Sequence, residues 1–405
     1  MMAIGVLSEI PRAGKTVLLR LDLNSPIDPS SRTILDDKRF REHIPTIQAL
    51  QESRVVILTH QSRPGKKDFT TLEVHAEKLE QLIGRQVKYI DDIFGHYARE
   101  SVRTMHPGDV LMLENVRFNA EENLTVKPED AAKFHIIRGL TALGDLFVND
   151  AFGKSHRSQP TMVGLPMVMR SVGGLLMEKE VLTLNRVFEN APKPVCIVLG
   201  GTKVDDSIAV ASHMLEFHIA DQVMVTGVVA NVFLAATGCD IGKPSLQLIH
   251  HLKYEREIDR ARHLLHQYRD RIILPEWIAV REMGGRVEYP VNAIPKEAPI
   301  LDLGIETVFS YSDCIRKAGT VVFNGPAGVF EEKDFATATY ELLKAASKVP
   351  FSIIGGGHTA AVVEKLGIEK DFTHISTGGG ACIEFLTGKK LPAIAALERS
   401  KELFG

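Results

Sequence analysis

The sequence predicts the α/β fold class, with two domains that are each built on a parallel sheet. Short β-branched apolar runs recur along the 405 residues, and a helix-length amphipathic stretch follows each of them. The length allows two or three domains at roughly 100 to 200 residues each. With 44% hydrophobic and 24% charged residues, the composition is that of an ordinary globular protein. We therefore expect two Rossmann-like domains joined by a helix and a hinge.

The apolar runs fall into two series on either side of one helical segment. The first series begins at Thr16, Val55, Val87, Val110 and Leu146, and the second at Pro194, Gln222, Arg271, Thr320 and Phe351. The segment between them opens on a glycine pair and closes on Asn and Pro residues, which are helix start and stop signals. We expect residues 1–170 to form an N-terminal domain, 171–190 the interdomain helix, and 191–380 a C-terminal domain.

Charge and cysteine usage limit the partners and the compartment. The 48 basic and 51 acidic side chains give a net charge of -3, so we expect neither nucleic acid nor a membrane as a partner. The four cysteines, Cys196, Cys239, Cys314 and Cys382, match neither a disulfide framework nor a metal knuckle. We find no signal peptide and no apolar run long enough to span a membrane. A cytoplasmic location is expected.

In the first half, basic and polar residues follow the predicted strands, where open parallel sheets bind their ligands. These residues are Arg20, Asp22, Asn24, His60, Arg63, Glu114, Asn115, Arg117, Asn149, Asp150, His156 and Arg157, with Arg39 just beyond the first loop. Planar guanidinium groups suit carboxylates and phosphates. For any single arginine, a surface salt bridge or a helix cap is the favoured alternative. Together they predict a pocket for a small, multiply anionic substrate.

In the second half, glycines follow the strands instead. They are Gly200, Gly201, Gly227, Gly325, Gly328, Gly355, Gly356 and Gly357, with Lys203 nearby and a further STGGGACIEFL run from Ser376 to Leu386. A triple glycine between a strand and a helix lets backbone N–H groups approach a phosphate at the positive end of the helix. A tight turn without a ligand is the alternative for any one loop. The set favours a nucleotide polyphosphate.

Two other patterns give weaker hypotheses. The GGGHTA run from Gly355 fits the relaxed dinucleotide motif, which leaves a nicotinamide-dependent dehydrogenase open, although the nearest acidic residue at a suitable distance, Asp371, lies 16 positions on rather than about 20. His250, His251, His263 and His266 favour a solvated helix face over a metal site, because no thiol or carboxylate partner has matching spacing. We expect no protein-bound metal.

An anion pocket in one domain and a phosphate surface in the other are typical of a phosphotransferase. Phosphoryl transfer needs mainly alignment and charge neutralisation, and a carboxylate acceptor needs no general base. This agrees with a sequence rich in arginine that offers no convincing His/Asp or Cys/His pair. Closure of two domains would also exclude water.

Eight runs, in order from about residue 16 to the C-terminus, closely resemble the phosphoglycerate kinase family: RLDLNSP, THQSRPG, LENVRF, FVNDAFGKSHRSQPTMVG, LGGTKVDDS, VFNGPAGVFE, GGGHTAAVVEKLG and HISTGGGACIEFLTGKKLPAIAAL. The resemblance implies reversible phosphoryl transfer between 1,3-bisphosphoglycerate and ADP, giving 3-phosphoglycerate and ATP, in glycolysis and gluconeogenesis. It implies Mg²⁺ carried with the nucleotide. It also implies that the N-terminal domain binds 3-phosphoglycerate, that the C-terminal domain binds the nucleotide, and that residues 381–405 pack back on the N-terminal domain. We expect a monomer or a homodimer.

The resemblance carries roles to matching positions. The substrate-binding set is Arg20, Asp22, Leu23, Asn24, Arg39, His60, Gln61, Ser62, Arg63, Arg117 and Arg157. The nucleotide-binding set is Gly201, Lys203, Asn324, Glu331, Gly355, Gly356, Gly357, His358 and Thr359, with Glu331 at the ribose. The catalytic set is Arg39, Lys203, Gly378 and Gly379: Arg39 and Lys203 act on the moving phosphoryl group, and the glycine N–H groups stabilise its charge.

Some positions depart from the commoner family pattern and resemble archaeal members. Ser207 replaces a second lysine, and His358 replaces an aspartate that helps to hold magnesium, so the ion would rely more on nucleotide oxygens and water. Gln61 and Ser62 replace Leu-Gly, and VTGVVANVF replaces a glycine triplet near the adenine. A catalytically silent binding protein is a further alternative, although Arg39, Lys203 and the TGGG run serve transfer more than binding.

Overall fold

The structure, a computed structural model, describes residues 4–405, and the chain divides into two compact units. Unit 1 comprises Met1–Leu182 and Lys390–Gly405, and unit 2 comprises Thr183–Lys389. In both units apolar strands are buried beneath helices, as expected for parallel α/β sheets. Among the described residues no helix is long and apolar enough to cross a membrane.

Unit 1 is built on a six-stranded parallel sheet. Its strands are β1 (Thr16–Arg20), β2 (Arg54–Leu58), β3 (Val87–Tyr89), β4 (Val110–Met112), β5 (Leu146–Asn149) and β6 (Ser171–Gly173). They lie in the order β3-β4-β2-β1-β5-β6. The first helices are α1 (Lys38–Ala49), α2 (Glu73–Ile83), α3 (His96–Arg103), α4 (Pro128–Ala131), α5 (His135–Thr141) and α6 (Pro160–Val163), and α7 (Leu175–Glu189) follows β6. The chain order reverses beside β1, so the loops after β1, β2 and β5 meet at one edge.

The segment expected as an interdomain helix over 171–190 begins instead as a strand. β6 pairs with β5, from Phe147 with Ser171 to Asn149 with Gly173, and the helix starts only at Leu175. The Ser-Val-Gly run is buried, and the hydrogen bonds of a sheet edge satisfy its backbone. The boundary between the two units then falls inside α7, between Leu182 and Thr183, rather than at 170 and 190.

Unit 2 contains a second six-stranded parallel sheet and a small antiparallel one. Its strands are β7 (Val195–Leu199), β8 (Gln222–Val225), β9 (Ile272–Ile273), β10 (Trp277–Glu282), β11 (Gly285–Pro290), β12 (Ile300–Leu303), β13 (Thr320–Asn324), β14 (Phe351–Gly355) and β15 (His374–Ile375). The parallel order is β15-β14-β13-β7-β8-β9, and the antiparallel order is β11-β10-β12. The helices are α8 (Val204–Glu216), α9 (Gly227–Ala236), α10 (Lys243–His251), α11 (Glu255–Tyr268), α12 (Ile305–Arg316), α13 (Thr337–Ala346), α14 (Gly357–Leu366) and α15 (Gly379–Leu386).

The antiparallel sheet was not expected from the sequence. β10 and β11 form a hairpin whose turn residues, Met283 and Gly284, have φ values of 47° and 80°. Two consecutive positive φ angles are typical of a tight hairpin turn. The strand β11 is only half-buried along its whole length. Its hydrophobic signal is therefore weaker than that of the parallel strands.

The C-terminal helix α16 (Pro392–Phe404) belongs to unit 1. The N–H of Ala393 donates to the carbonyl of Ser155 at 3.1 Å, and the N–H of Ser171 donates to Ser400 Oγ at 2.9 Å. The chain returns to unit 1 at residue 390, whereas we expected the return at 381. Helix α15 accounts for the difference, because it stays in unit 2, where the ring of Phe385 stacks on Phe188 at 5.6 Å.

Single turns of 3₁₀ helix complete the chain. They are Leu7–Glu9, Val116–Phe118, Ala120–Asn123, Phe152–Lys154 and Leu165–Met167 in unit 1, and Arg269–Arg271, Lys333–Phe335 and Glu369–Asp371 in unit 2.

Candidate functional site

A buried carboxylate faced by two cations follows β1. Asp22 is 4% exposed, and its Oδ2 accepts a hydrogen bond from the guanidinium of Arg39 on α1. Its Oδ1 lies 3.9 Å from Lys154 Nζ and has no hydrogen-bond partner in the described chain. Burial by itself would raise the pKa of Asp22, but Lys154 and Arg39 hold that pKa well below its ordinary value. Asp22 therefore stays ionised and holds both cations at the edge of the sheet.

The sequence analysis missed Lys154, which ends the 3₁₀ turn after β5. The carboxylate of Asp22 raises its pKa, but burial together with the charges of Arg39 and Arg117 outweighs this and lowers it. Lys154 thus lies in a crowded cationic region that an anionic ligand would relieve. The sequence signal that could have identified Lys154 is its position in the same loop as Arg157.

The guanidinium of Arg20 is directed into the protein. Arg20 is fully buried, and it donates to the carbonyl of Leu21 at 2.7 Å and to Thr161 Oγ1 at 3.1 Å. Its NH2 lies 3.3 Å from His60 Nδ1. Each of its three nitrogens has a protein partner, so this geometry does not support the expected direct contact of Arg20 with the substrate. Arg20 instead orients His60.

This contact fixes the tautomer of His60. A guanidinium can only donate, so Nδ1 accepts and the proton of the neutral ring is on Nε2. Burial first, and then the charges of Arg20 and Lys154, hold the pKa of His60 well below its ordinary value. The Nε2 atom is buried and has no protein partner in residues 4–405. It is therefore an N–H donor that a bound ligand can use.

The loop after β2 is shaped by side-chain hydrogen bonds. The N–H of Ser62 donates to Asn24 Oδ1 at 2.6 Å, with Ser62 in the left-handed region at φ 56°. Gln61 is fully buried, donates to the carbonyl of Ser25 at 3.1 Å, and lies 3.0 Å through Oε1 from His75 Nε2. Gln61 is therefore a support beneath the loop rather than a surface group.

The remaining predicted residues of unit 1 differ in exposure. The side chain of Leu23 is buried in the core, and its N–H donates to Thr59 Oγ1 at 3.1 Å. Arg117 donates to the carbonyl of Ser62, and its Nε is buried without a partner in the described chain. Arg63 and Arg157 are exposed. We call the group Asp22, Arg39, His60, Arg63, Arg117, Lys154 and Arg157 the basic surface of unit 1.

Unit 2 contains a cavity of about 790 Å³, mouth included, that is lined largely by glycine. Its lining residues are Gly200, Gly201, Thr202, Lys203, Asn324, Gly325, Pro326, Gly356, Gly357, His358, Thr359, Gly379, Gly380 and Ile383. Helices α8, α14 and α15 all begin at this glycine cavity. Their free N–H groups and positive dipole ends favour an anion there.

The glycines of this cavity serve different purposes. A Cβ on Gly325, which has φ 85°, would meet the carbonyl oxygen of Gly200, so close backbone packing requires glycine there. A Cβ on Gly355 would lie 2.7 Å from Asn324 Oδ1. A Cβ on Gly357 would meet nothing within 4 Å. The packing of the fold therefore does not require glycine at position 357, and the missing Cβ leaves space for a ligand.

Two predicted site residues, Gly355 and Gly378, lie behind the lining. Gly355 is the buried last residue of β14, and Gly378 is the buried N-cap of α15, whose N–H donates to Ser376 Oγ at 3.1 Å. The glycines of the TGGG run that line the cavity are thus Gly379 and Gly380. Ser207, which stands where the family more often has a second lysine, is fully buried on α8 and lines no part of this cavity. It therefore supplies no phosphate contact in place of that lysine.

A second cavity of about 840 Å³, mouth included, adjoins the first and is mainly apolar. The two share Gly201, Thr202, Pro326 and His358. Aliphatic side chains from β10, β12 and the loop after β13 form its walls, and the exposed Glu331 is on its lining. The ring of His358 lies 6.0 Å from that of Phe330, between the two cavities. We call this the apolar cavity.

The glycine cavity offers little to a magnesium ion by itself. Mg²⁺ prefers carboxylate, phosphate and water oxygens, and no carboxylate is among the residues that line this cavity. Within residues 4–405 no group of three or more His, Cys, Asp or Glu could hold a metal ion. The residues that line the glycine cavity therefore do not fit a protein-held magnesium ion.

A basic surface in one α/β unit and adjoining glycine and apolar cavities in the other define a phosphotransferase with two anionic substrates. The comparisons with known proteins agree with this class. The family model described as phosphoglycerate kinase matches residues 7–389. The phosphoglycerate kinase of Methanocorpusculum labreanum is 63% identical over 404 residues, 100% of each chain. That of Methanosarcina mazei is 50% identical over 95% of this chain and 92% of its own.

Solved structures give the same result. The crystal structure of phosphoglycerate kinase from Pyrococcus horikoshii OT3 matches with a TM-score of 0.91 at 40% identity, covering 98% of this chain and 99% of the other. That of phosphoglycerate kinase from Coxiella burnetii matches with a TM-score of 0.83 at 31% identity, covering 97% and 98%. The chain belongs to the phosphoglycerate kinase family. The predicted family, fold class and activity, a glycolytic phosphotransferase with a carboxyl acceptor, are confirmed, and the dehydrogenase hypothesis is wrong.

Proposed function

We propose that unit 1 binds 3-phosphoglycerate or 1,3-bisphosphoglycerate on its basic surface, and that unit 2 binds ADP or ATP in its two adjoining cavities. The observation that supports this division is the difference between the two surfaces. Unit 1 offers charged side chains around an ionised Asp22, which suit a small acid. Unit 2 offers an apolar cavity beside a glycine cavity, which suits a nucleobase followed by phosphates.

For the acidic substrate, we assign donors to its phosphate and acceptors to its hydroxyl. The exposed forks of Arg63 and Arg157, with Arg117, bind the phosphate of the substrate in bidentate fashion. The free Oδ1 of Asp22 accepts from the substrate hydroxyl, and the Nε2–H of His60 donates to the substrate. Asn24 and Ser62 hold the loop, while Leu23, Gln61 and Arg20 support it from beneath.

For the nucleotide, the base enters the apolar cavity and the ribose hydroxyls meet Glu331. The phosphates lie on the N–H groups at the start of α14, from Gly356 to Thr359, with Asn324 and Gly201 beside them. Magnesium arrives with the nucleotide, held by its phosphate oxygens and water. Gly355 keeps the end of β14 close to Asn324 and makes no ligand contact of its own.

In the proposed transfer, the carboxylate oxygen of 3-phosphoglycerate attacks the γ-phosphorus of ATP. The bond to the β,γ-bridging oxygen breaks, leaving ADP and the acyl phosphate, and no proton has to be removed from the nucleophile. Arg39 and Lys203 neutralise the charge of the moving group, assisted by the N–H of Gly379. Gly378 acts one residue earlier, as the buried cap that sets the direction of α15.

We also infer a cytoplasmic location and a monomeric or homodimeric state. The four cysteines all lie within the described residues and none is in a disulfide, which fits a reducing compartment. Sedimentation of the purified protein would report the oligomeric state directly.

The decisive experiment is an assay in which ATP and 3-phosphoglycerate are supplied with magnesium and the acyl phosphate is consumed by a coupling enzyme. We expect ADP to form only when 3-phosphoglycerate is present. Separate calorimetric titrations should show that Arg157→Ala loses 3-phosphoglycerate binding but keeps Mg-ATP binding. Lys203→Ala should lose Mg-ATP binding but keep 3-phosphoglycerate binding. If the folded protein did not form ADP, the proposed activity would be wrong. If either variant lost binding of the substrate assigned to the other unit, the proposed assignment of substrates to units would be wrong.

A further inference from the structure

A largely buried lysine, Lys154, faces the carboxylate at the centre of the basic surface without a hydrogen bond to it. The side chain of Lys154 is 18% exposed, and its Nζ lies 3.9 Å from Asp22 Oδ1. That distance exceeds hydrogen-bond length, and Oδ1 accepts from no atom within residues 4–405. Burying a charged group is costly unless its donors are satisfied. Lys154 therefore keeps N–H donors for a ligand that binds beside Asp22.

The backbone around Lys154 is held on both sides. Phe152 before it and Ser155 after it are fully buried. The carbonyl of Ser155 accepts from the N–H of Ala393 on α16 at 3.1 Å, and the N–H of Lys154 donates to the carbonyl of Ala151 at 3.0 Å. A charged group that is held in place needs little reorganisation when a ligand arrives. The fold therefore sets the position of Lys154 before any substrate binds.

Two cations share one carboxylate at this place. The guanidinium of Arg39 donates to Asp22 Oδ2, while Lys154 lies nearest the other oxygen, Oδ1. The charge of Asp22 raises the pKa of Lys154, but burial and the charges of neighbouring arginines, Arg39 first, outweigh this and lower the pKa. Two cations that face a single anion leave one positive charge unbalanced. A second anion placed against both cations would balance it.

The shared carboxylate associates Lys154 with the reacting end of the acidic substrate. In the proposed function the exposed Arg63 and Arg157 bind the substrate phosphate, and Arg39 acts on the moving phosphoryl group. Lys154 faces the same Asp22 as Arg39. We propose that Lys154 is a further catalytic residue, which binds the carboxyl oxygen from which the phosphoryl group departs. The inference rests on the proposed binding of the acidic substrate by unit 1.

The carboxyl oxygen changes its charge during the reaction. In the direction of ATP synthesis, an oxygen of the β-phosphate of ADP attacks the phosphorus of the acyl phosphate. The bond between phosphorus and the carboxyl oxygen breaks, and its electron pair stays on that oxygen, which becomes part of a carboxylate. The attraction between this oxygen and Lys154 Nζ therefore grows from the acyl phosphate to 3-phosphoglycerate. Arg39 differs, because it acts on the phosphoryl group while that group is in transfer.

The first test measures Lys154→Met in both directions of the reaction. With the acyl phosphate and ADP, kcat should fall by ~10 to 100-fold while KM for the acyl phosphate stays nearly unchanged. With 3-phosphoglycerate and ATP, KM for 3-phosphoglycerate should rise by a similar factor while kcat stays nearly unchanged. This asymmetry is expected because the lost contact is strongest with the free carboxylate. Arg39→Ala should instead lower kcat in both directions.

The second test uses two ligands that separate the carboxylate from the phosphate. Calorimetric titrations compare 3-phosphoglycerate with the glycerol phosphate of the same configuration, in which a hydroxymethyl group replaces the carboxylate. Lys154→Met should weaken 3-phosphoglycerate binding by ~10-fold or more and leave binding of the glycerol phosphate unchanged. Lys133→Met is the matched control in unit 1. Lys133 is exposed and pairs with Asp130, so neither ligand should bind differently.

Lys154→Gln keeps the test decisive if Lys154→Met does not fold. Glutamine retains an apolar stem and a neutral N–H donor beside Asp22, but it carries no charge. A neutral donor binds a carboxylate more weakly than an ammonium group does. The loss of 3-phosphoglycerate affinity should therefore be smaller than in Lys154→Met but again absent for the glycerol phosphate. Thermal unfolding reports whether each variant is folded.

The possible outcomes separate this inference from the proposed function. If a folded Lys154 variant lost affinity for 3-phosphoglycerate and for the glycerol phosphate equally, Lys154 would act on the phosphate or the hydroxyl, and the inference would be overturned. Unchanged kinetics in folded Lys154→Met would overturn it as well. If the unaltered enzyme did not bind 3-phosphoglycerate at all, the proposed function of unit 1 would be wrong.

Discussion

The two units present opposite kinds of surface to an anion. In unit 1 the groups available to an anion are long charged side chains, arranged around the ionised Asp22 and backed by the buried Arg20 and His60. In unit 2 they are chiefly backbone N–H groups at three helix starts, brought together by residues that lack a Cβ. A site made of side chains depends on the identity and charge of each residue. A site made of backbone N–H groups depends on the absence of side-chain atoms that would fill the space of the ligand.

This difference predicts different responses to mutation. Removing a charge should impair the basic surface of unit 1 while the fold tolerates the loss at exposed positions. Adding a single carbon should impair the glycine cavity although no charge changes. Acid should destabilise unit 1, where His60 and His75 are buried under the site with lowered pKa values.

The largest effect is expected for Arg39→Ala. Arg39 is the partly exposed partner of Asp22, so its guanidinium can reach the moving phosphoryl group, and kcat should fall by ~10² to 10³-fold. The KM for 3-phosphoglycerate should change only a few-fold, because Lys154 still faces Asp22. Steady-state kinetics in the coupled assay measure both.

Arg41→Ala is the control on the same helix. Its guanidinium is exposed and pairs with Asp37, four residues earlier, so activity should be unchanged. Equal losses of kcat and of 3-phosphoglycerate affinity in Arg39→Ala would make Arg39 a binding residue and not a catalytic one.

The free energy of unfolding should fall in acid because a neutral histidine is buried in unit 1. Burial lowers the pKa of His75 to about 4 from an unfolded value of about 6.5. Between these values the unfolded chain binds more protons, so the free energy of unfolding falls as the pH falls from 6.5 to 4. The contribution of His75 is about 3 kcal/mol at the lower end. Urea unfolding at several pH values should therefore show a shallower acid loss in His75→Gln.

The glutamine in this variant can still donate to Gln61 Oε1, as His75 Nε2 does. His106→Gln is the matched control, because His106 is exposed and should leave the pH dependence unchanged. If the two variants lost stability with falling pH as steeply as the unaltered protein, His75 would not be neutral in the fold.

The sequence predicted the parallel sheets well and the small sheet not at all. Strands such as β1 and β13 are buried along their whole length, so they are continuous apolar runs. The strand β11 is half-buried throughout and β6 has three residues, so neither stands out from a loop or a helix start. Element length and two-sided burial, rather than propensity, determined which strands could be recognised.

The residue types of the candidate site could be predicted from the sequence, but the directions in which the side chains point could not. Lys203, Gly357 and Thr359, which the family motifs assign to the nucleotide, line one cavity. The same motifs could not show that Arg20 is directed inward or that Gly378 is a buried cap, because both depend on packing. Lys154 was missed because its role comes from its distance to Asp22, which is remote in sequence.

The glycine cavity can be tested by the addition of one methyl group. In Gly357→Ala the new Cβ meets no atom of the protein, so stability should be unchanged or slightly higher. The methyl group occupies space that we assign to a phosphate, so KM for Mg-ATP should rise by ~10-fold. Thermal unfolding and steady-state kinetics report the two quantities separately.

Gly355→Ala supplies the contrast, because its Cβ would lie 2.7 Å from Asn324 Oδ1. It should lose stability by about 1–3 kcal/mol before any effect on binding is considered. Unchanged nucleotide affinity in Gly357→Ala would show that phosphates do not approach the start of α14.

The smallest effect is expected for His358→Asp, which adds the carboxylate that the glycine cavity lacks. His358 is exposed at the first turn of α14 and lines both cavities. A carboxylate there provides an oxygen ligand beside the nucleotide phosphates, so half-maximal activity should need a magnesium concentration a few-fold lower. His358→Asn is the matched control, since it removes the imidazole without adding charge. Because a helix start also favours negative charge, a general gain in stability would appear without magnesium, whereas coordination requires the ion. If the dependence of activity on magnesium concentration is identical in the Asp and Asn variants, residue 358 does not reach the ion. Magnesium would then be held by nucleotide oxygens and water alone.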